Sequence, residues 1–222
     1  MTNFEPKHPS QPYTSPMHIP AEELVALLVA VSFAAGLNTY ATVATLGLLG
    51  RFGAVTLPAA LHPLQNWWVI GASLVLFGVE LFADKIPAFD LVWNALHTFI
   101  RVPVAALLAW RATATLSAQE QLVAALAGGL IALIAHGGKT AARAAVTPSP
   151  EPFSNFGLSL GEDVLAVSLT WLATKHPFVA AGIAAVLVVV LVVLVRWLWR
   201  ALRGLFKAAF GPVSDVKAPL RG

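Results

Sequence analysis

The sequence predicts an all-α, polytopic membrane protein of about six transmembrane helices. Of its 222 residues, 58% are hydrophobic and 11% charged, where soluble domains carry about 25% charged residues, so a soluble core would lack the polar coat needed to cover it. Six apolar segments, near 21–50, 66–84, 89–110, 119–146, 161–175 and 177–199, fill the chain, and a helix of roughly 20 residues crosses a bilayer. Interface anchors sit at segment ends: Trp67-Trp68 opens the second, and Arg196-Trp197-Leu198-Trp199-Arg200 closes the sixth.

Residues 1–20 are polar and hold Pro6, Pro9, Pro12, Pro16 and Pro20. With no basic stretch leading into an apolar run and a cleavage site, they read as a disordered tail rather than a signal peptide. A transmembrane domain over 21–199 follows, then a basic segment over 200–222. The sixth segment is the clearest span, with eighteen uncharged residues from Phe178 to Val195. Beyond it Arg196, Arg200, Arg203 and Lys207 fall at i, i+4, i+7 and i+11, which predicts an amphipathic helix leaving the membrane along its anionic inner surface. The fifth segment is short and opens on Glu162-Asp163. Before it, Thr147 to Asn155 holds three prolines in five residues and reads as a structured loop presenting Ser, Glu151 and Asn.

Two long segments begin alike. Glu22-Glu23-Leu24-Val25-Ala26 resembles Glu120-Gln121-Leu122-Val123-Ala124, and Gly36-Leu37-Asn38-Thr39 echoes Gly137-Gly138-Lys139-Thr140; Ala83-Asp84-Lys85-Ile86-Pro87 and Ala173-Thr174-Lys175-His176-Pro177 form a weaker pair. The expectation is two three-helix units, near 21–110 and 119–205, related by inversion because three is odd, with broken first and fourth helices. An even number of spans puts both termini on one face. Counting Lys and Arg in the connections makes that face the cytoplasmic one.

The charged residues lie where lipid tolerates them least. Asp90, Asn94, His97 and Arg101 form one stripe of the third segment, at i, i+4, i+7 and i+11. Arg101 stands about 16 Å into its span, and a mid-membrane arginine costs at least about 2.5 kcal/mol unless compensated. Glu80 and Asp84 share a face of the second segment, and His136, Lys139 and Arg143 a face of the fourth. Only fourteen residues, Leu122 to Ala135, precede His136, so His136 and Lys139 fall within the membrane's thickness. Together with Asn38, Thr39, Glu151, Glu162 and Asp163 these residues make up the candidate binding or translocation site. His62 and His176 read as ordinary loop and helix-end residues.

Such a polar path suits a transporter or channel for a small ion or polar solute. The alternatives are an intramembrane enzyme acting on a lipid-linked phosphate through His97 or His136, or a structural protein whose charges pair across helices. Carboxylates also suit a divalent cation, although the spacing does not select a metal. The sequence has no cysteine, which excludes thiolate sites, and it names no cofactor. Its basic residues form no soluble face for nucleic acid; the partners expected are the lipid bilayer, a small solute and a second copy in a homodimer.

At Gly36-Leu37-Asn38-Thr39-Tyr40-Ala41, Ala83-Asp84-Lys85-Ile86-Pro87, His97-Thr98-Phe99-Ile100-Arg101 and Ser149-Pro150-Glu151-Pro152-Phe153-Ser154-Asn155, the chain resembles the bacterial family called domain of unknown function 4126, over about residues 24–177. The resemblance implies a small multi-pass protein of the bacterial inner membrane and supplies no substrate. Where that family carries Asp-Ser-x-Trp-Asp this chain has Asp90-Leu91-Val92-Trp93-Asn94, and it has Thr147 in place of Asn. A metal or proton role at Asn94 loses its acid here.

Overall fold

The structure, a computed structural model, describes residues 19–83, 87–146 and 152–210, and every regular element among them is helical. The helices are α1 (Ala21–Leu37), α2 (Thr39–Arg51), α3 (Trp67–Ala83), α4 (Pro87–Ala112), α5 (Ala118–Val146), α6 (Pro152–Lys175) and α7 (Pro177–Phe210); a 3-10 helix, Ala59–Gln65, precedes α3.

The first apolar segment is a hairpin. Asn38 is extended, with φ −147° and ψ 103°, and its Oδ1 accepts the Ala41 amide at 2.9 Å, capping α2. The chain then turns back, so that Leu46 of α2 lines one small cavity with Leu27, Leu28, Val31 and Ser32 of α1. A straight helix would hold Leu46 about 22 Å from Val31. Both outer ends of the hairpin therefore lie at one end of the bundle, the near end, and Asn38 is the tip inside it. α1 is apolar all round because α4, α5, α6 and α7 all pack on it, not because lipid surrounds it.

Each later pair of consecutive helices is pinned antiparallel by a contact. Gly47 of α2 meets Ile70 of α3, Glu80 of α3 pairs with Arg101 of α4, and Gly128 of α5 abuts Ala105 and Ala109 of α4. Lys139 of α5 reaches Glu162 of α6, while Gly138 beside it packs on Leu191 of α7. Were α6 and α7 collinear, Glu162 and Leu191 would stand roughly 43 Å apart. Five helices thus traverse the bundle after the hairpin, and the beginning of α1 and the end of α7 lie at opposite ends. The expectation of six crossings with both termini on one side is corrected by the reversal at Asn38.

The inverted repeat is corrected as well. A Cβ on Gly36 would meet Ala132 O at 2.5 Å, and one on Gly128 would meet Ser32 Oγ at 2.9 Å. Residue 32 therefore faces 128 and residue 36 faces 132: α1 and α5 run parallel and in register. Leu24, Val25, Glu120 and Val123 line a common cavity. The echoing segments lie side by side pointing the same way, whereas inversion requires them to oppose. The fourth segment is also unbroken, since α5 runs through Gly137-Gly138 in ordinary helical geometry. Gly138 is there for packing, as a Cβ would come within 2.6 Å of Leu191 Cδ1. A capping box starts α5, with Ser117 N donating to Glu120 Oε2 at 2.9 Å and Glu120 N to Ser117 Oγ at 3.3 Å.

Two further boundaries differ. α6 begins at Pro152, a residue suited to a first helical turn because its missing N–H is unneeded there, so part of the expected loop is helix; 147–151 lie outside the described residues. α7 continues unbroken past Arg200 to Phe210.

Polarity is distributed inside out. Trp68, Phe82, Phe99, Leu126, Val164 and Val186 are exposed, while Glu80, His97, Arg101, His136, Lys139 and Asp163 are buried. α5 over Ala118–Ala142 and α7 over Pro177–Phe206 are each long and apolar enough to cross a membrane, as is the 3-10 helix taken with α3 across their 64° bend.

Candidate functional site

The site grows from the break at Asn38. Ending α1 at Leu37 leaves its last carbonyls without intrahelical donors, and a helix C-terminus carries partial negative charge. Two cations meet it. Arg101 Nη1 donates to Leu37 O at 2.8 Å and reaches Gly36 O at 3.3 Å, and Lys139 Nζ reaches Leu37 O at 3.4 Å. On the other side of the break, Asn38 Nδ2 donates to Asp163 Oδ1 at 2.8 Å, which sets a carboxylate beside the positive N-terminus of α2. Each half of the broken helix thus faces the charge its dipole favours.

Carboxylates tie these cations to the surrounding helices. Arg101 Nη2 donates to Glu80 Oε1; Lys139 Nζ lies 3.5 Å from the same oxygen and 3.0 Å from Glu162 Oε2. Lys139 on α5 therefore links α3, α6 and the hairpin tip. Arg101 and Glu80 are 0% and 1% exposed and Lys139 2%, so the interaction is sealed from solvent and its electrostatics are strong on both sides: attraction between partners, and desolvation of each.

His136 completes the arginine's shell. Arg101 Nη1 lies 3.1 Å from His136 Nδ1, and His136 Nε2 lies 2.8 Å from Thr98 Oγ1. A guanidinium only donates, so Nδ1 accepts and the neutral ring carries its proton on Nε2, facing the threonine. Tyr40 and His97 form a second polar pair, with Oη and Nε2 3.0 Å apart and the rings edge to face. Glu80 Oε2 and Arg101 Nε are buried and meet no hydrogen-bond partner among the described residues.

The structure brings together Asn38, Glu80, His97, Arg101, His136, Lys139, Glu162 and Asp163. Thr39 is buried beside them, but its hydroxyl bonds back to Ala35 O at 2.7 Å and takes no part in the cluster. Asp84 and Glu151 lie outside the described residues, as do the side chains of Asp90, Asn94 and Arg143 on α4 and α5. His62, expected in a loop, lies in the 3-10 helix before α3 and contacts Leu57 O at 3.2 Å, and His176 stands between α6 and α7, an ordinary place for each. Among the described residues no three His, Asp or Glu side chains are grouped to hold a metal ion.

The carbonyls of Gly36 and Leu37 are the backbone ligands that a break in the first helix leads one to expect. Sequence reasoning missed Tyr40 and Thr98: Tyr40 follows the break by two residues and could have been suspected, whereas Thr98 lies off the α4 stripe. A cavity of about 460 Å³ opens at the near end between α1 and α5, lined mainly by apolar groups such as Leu24, Leu28, Val123 and Ile131. It stops about 7.5 Å short of His136 along α5, and the side chains of the cluster are themselves buried.

No curated protein and no solved structure matches the chain. The model of one family matches residues 25–197, a span that includes every member of the cluster. The chain belongs to the family described as domain of unknown function 4126.

Proposed function

We propose that this protein is a polytopic membrane protein of the bacterial inner membrane that moves a small ion or polar solute, with the cluster at the hairpin tip as its site. The observation that carries the reading is the burial of two cations and three carboxylates around a helix that breaks beside them. Buried ion pairs add little net stability, because desolvation offsets the attraction. Ionisable groups at membrane depth are characteristic of ion and solute pathways, and broken helices supply main-chain ligands there. α5 and α7 are apolar enough to cross on composition alone; α4 and α6 carry Arg101, Glu162 and Asp163 on faces turned inward, which lowers their mean hydropathy without exposing charge to lipid. Exposed Arg196, Arg200 and Arg203 mark the end reached by α7, and the excess of basic residues there favours the cytoplasmic side. The beginning of α1 would then be outside.

An enzyme acting on lipid-linked phosphate needs a histidine open to the bilayer, and the burial of His97 and His136 lends it no support. Flux assays on proteoliposomes test the proposal, using protons, monovalent and divalent cations and small anions in turn. Flux of one species, lost in Glu80→Gln protein that remains monodisperse and folded, is the outcome expected. If no species moves, and exchanging Glu80 and Arg101 restores only stability, the cluster is structural.

A further inference from the structure

We infer that the end of α7 is a binding face for anionic phospholipid headgroups. The inference rests on the membrane reading and not on transport. From Pro177 to Val195 the helix has nineteen uncharged residues, about 28 Å at 1.5 Å per residue and close to the roughly 30 Å hydrocarbon thickness of a bilayer. Arg196 therefore follows where the headgroup layer begins. Because α7 does not end there, Arg200 and Arg203 continue outward about 6 and 10 Å beyond Arg196 on the same face.

Nothing within the described protein neutralises them. All three arginines are exposed, and none meets a carboxylate among the described residues. The sequence holds no Asp or Glu from Val164 to Ser214, so α7 has no acid of its own to offer. The Arg203 guanidinium stacks over the Trp199 ring, 5.2 Å from its centroid, and Trp197 is exposed beside it. Indoles prefer the headgroup level, and guanidinium groups bind phosphate oxygens in pairs. An arginine near an anionic surface contributes about a fivefold preference at moderate salt. The geometry suits a phosphodiester headgroup bearing net negative charge.

The absence of native cysteine allows a clean test. Full-length protein with Leu205→Cys, labelled with an environment-sensitive fluorophore, is placed in nanodiscs of phosphatidylcholine with or without phosphatidylglycerol. Phosphatidylglycerol should blue-shift the emission. The shift should disappear in the Arg196→Gln, Arg200→Gln, Arg203→Gln triple variant, and in about 0.5 M salt, where screening shortens to about 4 Å. The same emission in both lipids, or a shift retained by the triple variant, overturns the inference. A response to short RNA in phosphatidylcholine discs with none to phosphatidylglycerol also overturns it, and assigns the face to a polyanion in solution.

Discussion

Replacing Gly36 with alanine tests the hairpin tip through its tightest contact. The added Cβ would lie 2.5 Å from Ala132 O and 2.7 Å from Ala132 Cα. Both are backbone atoms of α5, so no rotamer change relieves the clash. Restoring an ordinary 3.4 Å contact requires a shift of 3.4 − 2.5 = 0.9 Å between α1 and α5. A shift of that size taken along the bond would stretch the 2.8 Å contact from Arg101 to Leu37 O to about 3.7 Å, beyond hydrogen-bonding range. Overpacking of this kind costs about 1–3 kcal/mol, against which alanine's helix preference returns up to about 1 kcal/mol. Gly137, the glycine that echoes Gly36 in the sequence, is the control: a Cβ there meets nothing within 4 Å. Thermal unfolding in detergent, followed by tryptophan fluorescence, should place Gly36→Ala several degrees below the parent, and Gly137→Ala level with it or above. Equal melting temperatures for the two variants would refute the parallel α1–α5 crossing.

The ion cluster makes an ordered prediction. Glu80→Leu takes from Arg101 its carboxylate partner, while Lys139 keeps Glu162 at 3.0 Å, and should cost about 3–5 kcal/mol, more than Arg101→Met, which leaves Glu80 with Lys139 at 3.5 Å. The Glu80→Leu, Arg101→Met double variant should be less destabilised than the sum of the two, and strict additivity in denaturation would show that the residues are uncoupled. Asn38→Ala removes the α2 cap and should cost about 1 kcal/mol, while Asn38→Ser keeps a capping oxygen and should recover part of it; equal losses in thermal unfolding would exclude a capping role.

Much of the site was legible in the sequence. Lys139 and His136 fall three apart on one face of α5, and His97 and Arg101 four apart on α4. Helical periodicity aims each pair inward whatever the topology. The break at Asn38 was legible too, because asparagine after an apolar run is a capping signal. The direction taken after the break was not. An apolar run of thirty residues reads the same whether it crosses a membrane once or enters a protein interior and returns, since protein neighbours and lipid select the same side chains. That ambiguity turned one hairpin into a crossing, and the miscount then inverted the second half of the chain and joined the termini on one face. Gly137-Gly138 misled for a related reason: glycine serves close packing, here against Leu191, as readily as it serves a break.

The account turns on that hairpin, and sidedness measures it most directly. Ala54 lies in the loop after α2 at the near end, and Ala201 on α7 at the far end; both are exposed in a chain without native cysteine. Cysteines introduced singly at these positions can be labelled in intact cells with a membrane-impermeant maleimide, before and after permeabilisation. A reversal at Asn38 predicts that Ala54→Cys labels from outside and that Ala201→Cys labels only once the membrane is opened. The sites would still differ if the first segment crossed fully, so Glu22→Cys decides the matter. With the hairpin, Glu22, exposed in the first turn of α1 at the near end, labels together with Ala54→Cys. Labelling of positions 22 and 54 from opposite sides would mean that the segment crosses, and would contradict the account.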